Sequence, residues 1–289
     1  MEGRIVRGVG GYYYVDSEGR EFVCRARGKF RIDDETPVVG DLVRFEAEGS
    51  TGYLLEILPR KNILKRPHVA NIDQLVIVIS SLTPKPDLML VDKLILSAEM
   101  SAIRPILCVN KLDKDKELTR EKFCTEFGSA CSVIATSAQT GAGIEDLRVM
   151  LDHTVSCFAG QSAVGKSSLI NALVPGMSLQ TGALSKKISR GKHTTRHTTL
   201  LSMGQGYILD TPGFSLLETT YCEPEDVASF YPEFRPYLDK CRFAKCQHKS
   251  EPGCAVKEAL AAGTISPARY ARYAAIIDEY NLMRKSKYD

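Results

Sequence analysis

The chain lacks an apolar run long enough to cross a membrane. Its longest apolar stretches, such as "LVIVISSL" from Leu75, are far shorter than the roughly 20 residues that a membrane helix needs. The N-terminal residues "MEGRIVRG" also lack the apolar core of a secretion signal. The sequence therefore predicts a cytoplasmic protein with no membrane partner.

The chain also lacks a large excess of charge of either sign. Lys and Arg number 38 against 35 Asp and Glu, so bulk charge does not predict nucleic-acid binding. One segment is an exception, because no carboxylate lies between Gln180 and Leu209 to offset its basic residues. These residues are Lys186, Lys187, Arg190, Lys192 and Arg196. We expect the segment to contact anionic groups such as phosphate, and a solvated basic face is the alternative.

The cysteines do not form a set typical of a disulfide framework. There are nine of them, an odd number, and Cys108 and Cys157 fall inside predicted core strands. This usage favours a reducing compartment, where a cluster of cysteines is better explained as a metal site.

At 289 residues, 44% of them hydrophobic, the chain has room for two or three domains. Short β-rich stretches with Gly turns predict five strands of a small barrel or sandwich within residues 1–62. Residues 69–218 alternate apolar strands with amphipathic helices, which predicts an α/β domain with a parallel sheet covered by helices on both faces. Residues 219–289 are rich in Cys, Pro and Tyr and end in two predicted helices, of which the second begins with Ser266 as N-cap and Pro267.

A phosphate-binding loop is predicted in "FAGQSAVGKSSLI". Gly160, Gly165, Lys166 and Ser167 match the pattern G-x-x-x-x-G-K-[ST] between a predicted strand and a predicted helix. In such a loop backbone N–H groups surround the β-phosphate, the lysine neutralises phosphate oxygens, and the serine hydroxyl ligates Mg²⁺. The other residues assigned to this site are Gln161, Ser162, Ala163, Val164 and Ser168.

The stretch "NKLD" predicts that the bound base is guanine. The carboxylate of Asp113 can accept hydrogen bonds from N1–H and the exocyclic amine of guanine, a pair that adenine lacks. The stem of Lys111 can lie over the purine ring while Asn110 braces neighbouring loops. In "TSAQTG", Ser137 and Ala138 can offer a backbone N–H to guanine O6.

Two further segments complete the predicted site. In "DTPG", Asp210 can hold Mg²⁺ through water and the Gly213 N–H can sense the γ-phosphate. Thr194 or Thr195, in "SRGKHTTRHTT", is placed to give Mg²⁺ a second hydroxyl ligand. The base motif precedes the phosphate loop, the reverse of the usual GTPase order, so the sequence predicts a circular permutation that leaves the site intact.

A metal site is predicted in "CRFAKCQHKSEPGC". Its three thiols and one imidazole form a closed tetrahedral ligand set for one structural Zn²⁺, and unrelated thiols are the alternative. The predicted ligands are Cys241, Cys246, His248 and Cys254.

Taken together, these motifs resemble one family over essentially the whole chain: the circularly permuted GTPases that depend on the small ribosomal subunit, often called RsgA. The resemblance rests on the β-rich N-terminal part, on "NKLD", "TSA", "GQSAVGKSS", "GKHTT" and "DTPGF", and on the Cys-Cys-His-Cys pattern. It implies an OB-type barrel, a circularly permuted P-loop GTPase domain and a zinc domain. It also implies late maturation of the small subunit, with GTP hydrolysed to GDP and stimulated by that subunit. We expect a monomer.

Contact with ribosomal RNA has candidates on the predicted barrel. OB barrels bind single strands through basic and aromatic faces. The candidates are Tyr12, Tyr13, Tyr14, Arg25, Arg27, Lys29 and Arg31. Core and cross-strand packing is the alternative for the tyrosines, and a solvated face for the basic residues.

The catalytic group of the predicted hydrolysis is not the usual glutamine. Phe214 stands at that position after "DTPG", and an apolar ring cannot align a water molecule. His193 adjoins the Thr pair and its neutral form can accept a proton from water, so it is the candidate, together with Lys166 and Thr195. His197 is the second candidate, with a role at the start of a strand as its alternative.

Three other interpretations remain open from the sequence. One is an ATP-using P-loop kinase or ATPase, which Asp113 opposes. Another is a GTP-gated RNA-binding checkpoint whose hydrolysis serves only release. The third is a structural zinc and OB adaptor with a vestigial site, opposed by the intact Lys166 and Ser167.

Overall fold

The computed structural model describes residues 1–27, 36–114, 119–174, 176, 198–210 and 222–288. The strands are β1 (Glu2–Val9), β2 (Tyr12–Ser17), β3 (Arg20–Ala26), β4 (Leu42–Glu48), β5 (Thr51–Ile57), β6 (Ile63–Leu64), β7 (Val69–Ala70), β8 (Gln74–Ser80), β9 (Arg104–Asn110), β10 (Ser132–Ala135), β11 (Val155–Ala159), β12 (Thr199–Met203) and β13 (Gly206–Asp210). The α-helices are α1 (Leu88–Met100), α2 (Thr119–Phe127), α3 (Ile144–Leu151), α4 (Lys166–Leu173), α5 (Ala255–Ala261) and α6 (Pro267–Tyr288).

The N-terminal part is a closed five-stranded barrel, which confirms the predicted barrel. Neighbouring strands follow the order β1-β2-β3-β5-β4, and β4 pairs back with β1 to close it. Along β4, Val43 and Phe45 are buried while Arg44 and Glu46 are exposed, because one face of the sheet points inward. The inward side chains form a separate core that includes Ile5, Val15, Phe45 and Leu54.

A buried ion pair holds the chain that leaves the barrel. Asp41 is fully buried and accepts two hydrogen bonds from Arg60, at 2.6 and 2.8 Å, and one from the Val38 backbone N–H at 2.8 Å. The short pair β6 and β7 comes next in the chain, so the predicted linker is itself partly ordered by strand pairing.

The second part is a six-stranded sheet in the order β10-β9-β8-β11-β13-β12. The first five strands are parallel, as the continuous apolar runs predicted, and β8 is buried along its whole length. Strand β12 adds an antiparallel edge strand to the predicted parallel sheet, because it runs antiparallel to β13. The two strands are joined by a two-residue turn, which permits only antiparallel pairing.

Helices cover both faces of this sheet, as predicted. Helices α1 and α2 pack on one face, where Leu94 and Phe127 join the core around Ile77. Helices α3 and α4 pack on the other face, where Leu147 and Leu169 join a second core.

Barrel and sheet are joined edge to edge. Strand β1 pairs with β12 through Arg7 and Thr199, which makes one continuous eleven-stranded sheet. Beside this joint, the hydroxyl of Tyr207 donates to Asp16 at 2.9 Å and the Arg4 guanidinium lies 5.7 Å from the Tyr207 ring centre.

The C-terminal part is helical and has its own core. Helix α6 begins at Pro267, and the Ser266 hydroxyl accepts the backbone N–H of Arg269, which confirms the predicted helix start. Its core brings together buried aromatic rings, among them Tyr231, Phe234 and Tyr273. In the part of the chain that the structure describes, no helix has the length and apolar character of a membrane span.

Candidate nucleotide site and cysteine cluster

The predicted nucleotide motifs that the structure describes follow strands of the parallel sheet and lie at one edge of it. Strands β9, β11 and β13 are parallel to β8 or to each other, and their carboxyl ends carry Asn110, Ala159 and Asp210 respectively. Ligands of open parallel sheets bind outside this edge. The fold thus brings together segments that lie far apart in the sequence.

The phosphate loop requires both of its glycines. Gly160 has φ +129°, and a Cβ at this position would lie 2.2 Å from the carbonyl oxygen of Val78. Gly165 has φ +102°, and a Cβ there would lie 2.3 Å from the Asn110 side-chain amide. Only glycine combines this backbone conformation with this close approach.

Lys166 and Ser167 begin helix α4 directly after the loop. The Nζ of Lys166 donates to the carbonyl oxygens of Gly160 and Gln161, both at 2.7 Å, so the ammonium lies across the loop. Burial lowers the pKa of Lys166 from its usual value. Since the N-terminus of a helix favours anions, the loop and the ammonium together fit a phosphate group.

Asn110 and Lys111 tie the base motif to the phosphate loop. The Asn110 amide donates to the carbonyl oxygen of Val164 at 2.9 Å and is almost fully buried. The Lys111 Nζ donates to the carbonyl oxygens of Thr83 and Ala163, each at 2.7 Å. Burial lowers the pKa of Lys111. The motif predicted to read the base therefore also braces the loop predicted to hold the phosphates.

Asp113 is held by the Ser-Ala segment. The buried Ser137 hydroxyl donates to Asp113 Oδ1 at 2.5 Å, which fixes one carboxylate oxygen while Asp113 itself stays exposed. The backbone N–H of Ser137 donates to the Ala142 carbonyl oxygen, and that of Ala138 donates to Asn110 Oδ1 at 3.2 Å. Of these two N–H groups, the Ala138 N–H makes the weaker bond and is the one left to share with a base.

Asp210 ends β13, which pairs in parallel with β11, the strand that leads into the phosphate loop. Partial burial raises the pKa of its carboxyl group. Other predicted site residues lie outside the described residues, so their positions stay predictions. They are Lys29, Arg31, Lys186, Lys187, Arg190, Lys192, His193, Thr194, Thr195, Arg196, His197, Gly213 and Phe214.

The four predicted metal ligands do come together. The ligand atoms of Cys241, Cys246, His248 and Cys254 all lie within 4.8 Å of one another, and three of the four residues are buried. The Nδ1 of His248 lies 3.5 Å from the sulfur of Cys241 and 3.4 Å from that of Cys254. Three thiols and one imidazole at these distances fit a tetrahedral Zn²⁺.

Some contacts of the site were not predicted. The Thr83 carbonyl has no sequence signal, because any residue supplies a backbone oxygen. The side chain of Gln161 accepts the backbone N–H of Asp87 at 3.0 Å, which joins the phosphate loop to the start of α1. Asp92 has a signal that was missed, since a carboxylate within the apolar stretch "LMLVDKLIL" requires a buried cationic partner.

Comparisons with known proteins match the whole chain. The family described as RsgA GTPase matches residues 57–220, and the RsgA N-terminal domain matches residues 2–54. A protein named "Small ribosomal subunit biogenesis GTPase RsgA" from Caldanaerobacter subterraneus subsp. tengcongensis is 44% identical, with 100% of this chain and 98% of that protein covered. A protein of the same name from Geobacillus kaustophilus is also 44% identical, with 99% of each covered.

Solved structures give the same result. The crystal structure of YjeQ from Thermotoga maritima has a TM-score of 0.84 at 35% identity and covers 96% of this chain and 98% of that one. The crystal structure of YloQ, a circularly permuted GTPase, has a TM-score of 0.83 at 33% identity, with 97% and 94% covered.

A parallel sheet whose base motif precedes its phosphate loop defines the chain as a circularly permuted P-loop GTPase. The closed N-terminal barrel and the helix-covered parallel sheet both agree with the fold that the sequence predicts. The chain belongs to the RsgA GTPase family.

Proposed function

We propose that this GTPase serves the late maturation of the small ribosomal subunit and is stimulated by it. The observation that carries the proposal is the likeness along the whole chain to proteins named for small-subunit biogenesis, combined with a complete base motif and phosphate loop. The cytoplasm is the compartment where a bacterial protein meets this subunit. We further propose a monomer of three domains with boundaries at 1–62, 69–218 and 219–289.

Guanine is selected by Asp113. Its carboxylate accepts from N1–H and the exocyclic amine, and Ser137 holds one carboxylate oxygen in place. Adenine would leave the carboxylate without a partner, which penalises ATP. The Ala138 N–H, whose hydrogen bond to Asn110 Oδ1 is long, also donates to guanine O6.

The phosphates and Mg²⁺ are held by residues around the loop. The N–H groups of the loop and the Lys166 ammonium bind β- and γ-phosphate oxygens. Ser167 and Asp210 fit a hard cation because both offer oxygen donors at the phosphate edge, and Thr194 or Thr195 is a further ligand. Bound there, Mg²⁺ neutralises the charge that develops on the phosphate oxygens.

His193 orients the attacking water in this proposal, with Thr195 beside it. Phe214 rules out the usual glutamine at its own position, so the proton acceptor comes from another residue. The test is His193→Ala, for which we expect stimulated turnover to fall by roughly 10²-fold or more at unchanged GDP affinity. His197→Ala tests the second candidate, and we expect it to keep stimulated turnover near the wild-type rate. Full turnover in His193→Ala would contradict the role of His193.

RNA contact is proposed for one surface of the barrel. A cavity of about 570 Å³ is lined by Tyr12, Tyr53 and Arg25, among others, and the Arg25 guanidinium lies 4.6 Å from the Tyr12 ring centre. Exposed rings beside guanidinium groups suit the stacking of unpaired bases. Tyr13 and Tyr14 do not line this cavity but pack against the two cores, which favours the packing alternative for them.

Zn²⁺ is proposed as the occupant of the cysteine cluster, with a structural role. All four protein ligands are present, so no coordination position stays open for chemistry.

The partner assignment is tested by sedimentation with purified small ribosomal subunits. We expect the protein to pellet with the subunits in the presence of a non-hydrolysable GTP analogue. A Tyr53→Ala, Arg25→Gln double variant should pellet less while binding GDP normally, and Arg20→Gln on the same barrel is the control. A wild-type protein that stays in the supernatant would contradict the partner assignment.

A further inference from the structure

Helix α1 is shared between two hydrophobic cores. Val91, Leu94 and Ile95 belong to the core of the parallel sheet. Leu96 belongs to the core of the C-terminal domain, and Met100 packs against it. Because closely packed interiors do not absorb displacements, a shift of α1 has to move both cores.

The start of α1 is bonded to the phosphate loop. The Asp87 backbone N–H donates to the side chain of Gln161 at 3.0 Å, while the Asp87 carboxylate caps the helix by accepting the Leu90 N–H. Just before the helix, the Thr83 carbonyl shares the Lys111 ammonium with the Ala163 carbonyl. The segment leading into α1 thus contacts the phosphate loop directly at Gln161 and is linked to it a second time through the Lys111 ammonium.

The second turn of α1 is bonded to the C-terminal domain. Asp92 is fully buried and accepts hydrogen bonds from Arg269 and Arg272 of α6. Arg269 also donates to Glu233 at 2.7 Å, and Arg272 to Glu126 of α2 at 2.5 Å. Two guanidinium groups therefore lie among three carboxylates, at the meeting point of α1, α2 and α6.

Such a network contributes little to stability that apolar side chains could not provide. What it adds is a defined relative position of the two helices, because paired guanidinium and carboxylate groups have a directional hydrogen-bond geometry that apolar contacts lack. At the outer edge of the same interface, Lys93 pairs with Glu279 at 2.7 Å and Arg235 with Glu99 at 2.6 Å. The position of α1 along its axis is thereby tied to the C-terminal domain.

We propose that α1 couples the nucleotide site to the C-terminal domain through two positioning residues. Gln161 of the phosphate loop holds the start of α1, and Asp92 of α1 holds Arg269 and Arg272 of α6. Nucleotide that orders the phosphate loop fixes Gln161, which fixes the start of α1, and Asp92 carries that position to Arg269 and Arg272. Coupling of this kind is reciprocal, so a change at the network must alter nucleotide affinity. The inference rests on nucleotide binding at the phosphate loop and is independent of the ribosomal partner.

The first test needs no variant. Amide hydrogen exchange is compared between nucleotide-free and GDP-bound wild-type protein. We expect GDP to slow exchange in α6 around Arg269 to Tyr273, which belong to the C-terminal part and not to the phosphate loop. Unchanged exchange in α6, with slowed exchange in the phosphate loop, would overturn the proposal while leaving GDP binding intact.

The second test is a double-mutant cycle on GDP affinity. Arg272→Gln is chosen because Asp92 keeps Arg269 as a partner, and thermal melting shows that each variant is folded. We expect Arg272→Gln to weaken GDP binding about fivefold or more, in the usual range for coupled sites. In a Gln161→Ala background the same change should alter affinity less than about twofold, because the path is already broken.

Arg284→Gln is the matched control, since it removes an arginine of α6 that pairs with Glu225 of the C-terminal domain itself. We expect it to leave GDP affinity within about twofold of wild type, and Arg272→Lys to restore part of the loss. An equal loss in Arg284→Gln, or an undiminished effect of Arg272→Gln in the Gln161→Ala background, would overturn the coupling through α1.

Discussion

At the residue scale, the sequence predicts candidate side chains for the nucleotide chemistry but not the contacts that hold those side chains in place. Asn110, Asp113 and Lys166 belong to motifs that require those residue types at fixed spacing. Their partners are mostly backbone oxygens, such as those of Val164 and Gly160, which leave no trace in a sequence. A side chain's role is therefore easier to predict than the geometry that makes it effective.

Asp113→Asn tests base selection. Asn can still accept from N1–H, but its amide now donates toward the exocyclic position, which suits the oxygen of xanthine and opposes the amine of guanine. We expect affinity for GDP to fall by roughly 10²-fold or more and affinity for xanthosine diphosphate to rise, as lost charged hydrogen bonds of about 1.5–3 kcal/mol each imply. Competition binding with GDP, XDP and ADP measures this. An unchanged preference for GDP would contradict the assignment.

At the element scale, periodicity predicted the helices and strands, whereas the burial of charged residues within them depends on tertiary contacts. The five barrel strands and the start of α6 agree with alternation and capping signals. The antiparallel direction of β12 follows from the two-residue turn before β13. The burial of Asp92 instead depends on partners from distant segments, so local patterns could not reveal it. The same holds for Asp41, whose partner Arg60 lies beyond the end of the barrel.

Arg60→Gln tests how the barrel is joined to the rest of the chain. The substitution leaves the fully buried Asp41 carboxylate without its cation, and we expect the free energy of unfolding to fall by about 3 kcal/mol. Lys61→Gln is the control, because Lys61 is 70% exposed and its pair with Asp73 is worth at most about 1 kcal/mol. Urea unfolding compares the two. An equal fall in the free energy of unfolding in both variants would contradict the larger contribution that we assign to the Asp41 pair.

At the scale of the whole molecule, circular permutation keeps the motifs of the nucleotide site on one sheet. It also makes β13, which ends at Asp210, the last strand in chain order, so that the C-terminal part follows it directly along the chain. The order of motifs in the sequence was enough to predict this arrangement. The joining of β1 to β12, and the sharing of α1 by two cores, could not be predicted, because they are contacts between domains.

Removal of the metal tests the C-terminal domain. Cys254→Ser takes away one of four clustered ligands, so we expect bound zinc to be lost. We also expect the melting temperature to fall by roughly 5 °C or more, because a loss of about 2 kcal/mol lowers it by about 4–8 °C in a domain of roughly this size. Cys124→Ser is the control, because Cys124 is exposed and lies outside the cluster. Metal analysis and thermal melting report the result. Full zinc content in Cys254→Ser would contradict the proposed site.

The most direct measurement is turnover of GTP and of ATP by the purified protein, alone and with small ribosomal subunits. We predict slow hydrolysis of GTP by the protein alone, a large increase with added subunits, and no comparable use of ATP. Equal use of ATP would contradict the base assignment to Asp113, and GTP turnover that ignores the subunits would contradict the proposed partner.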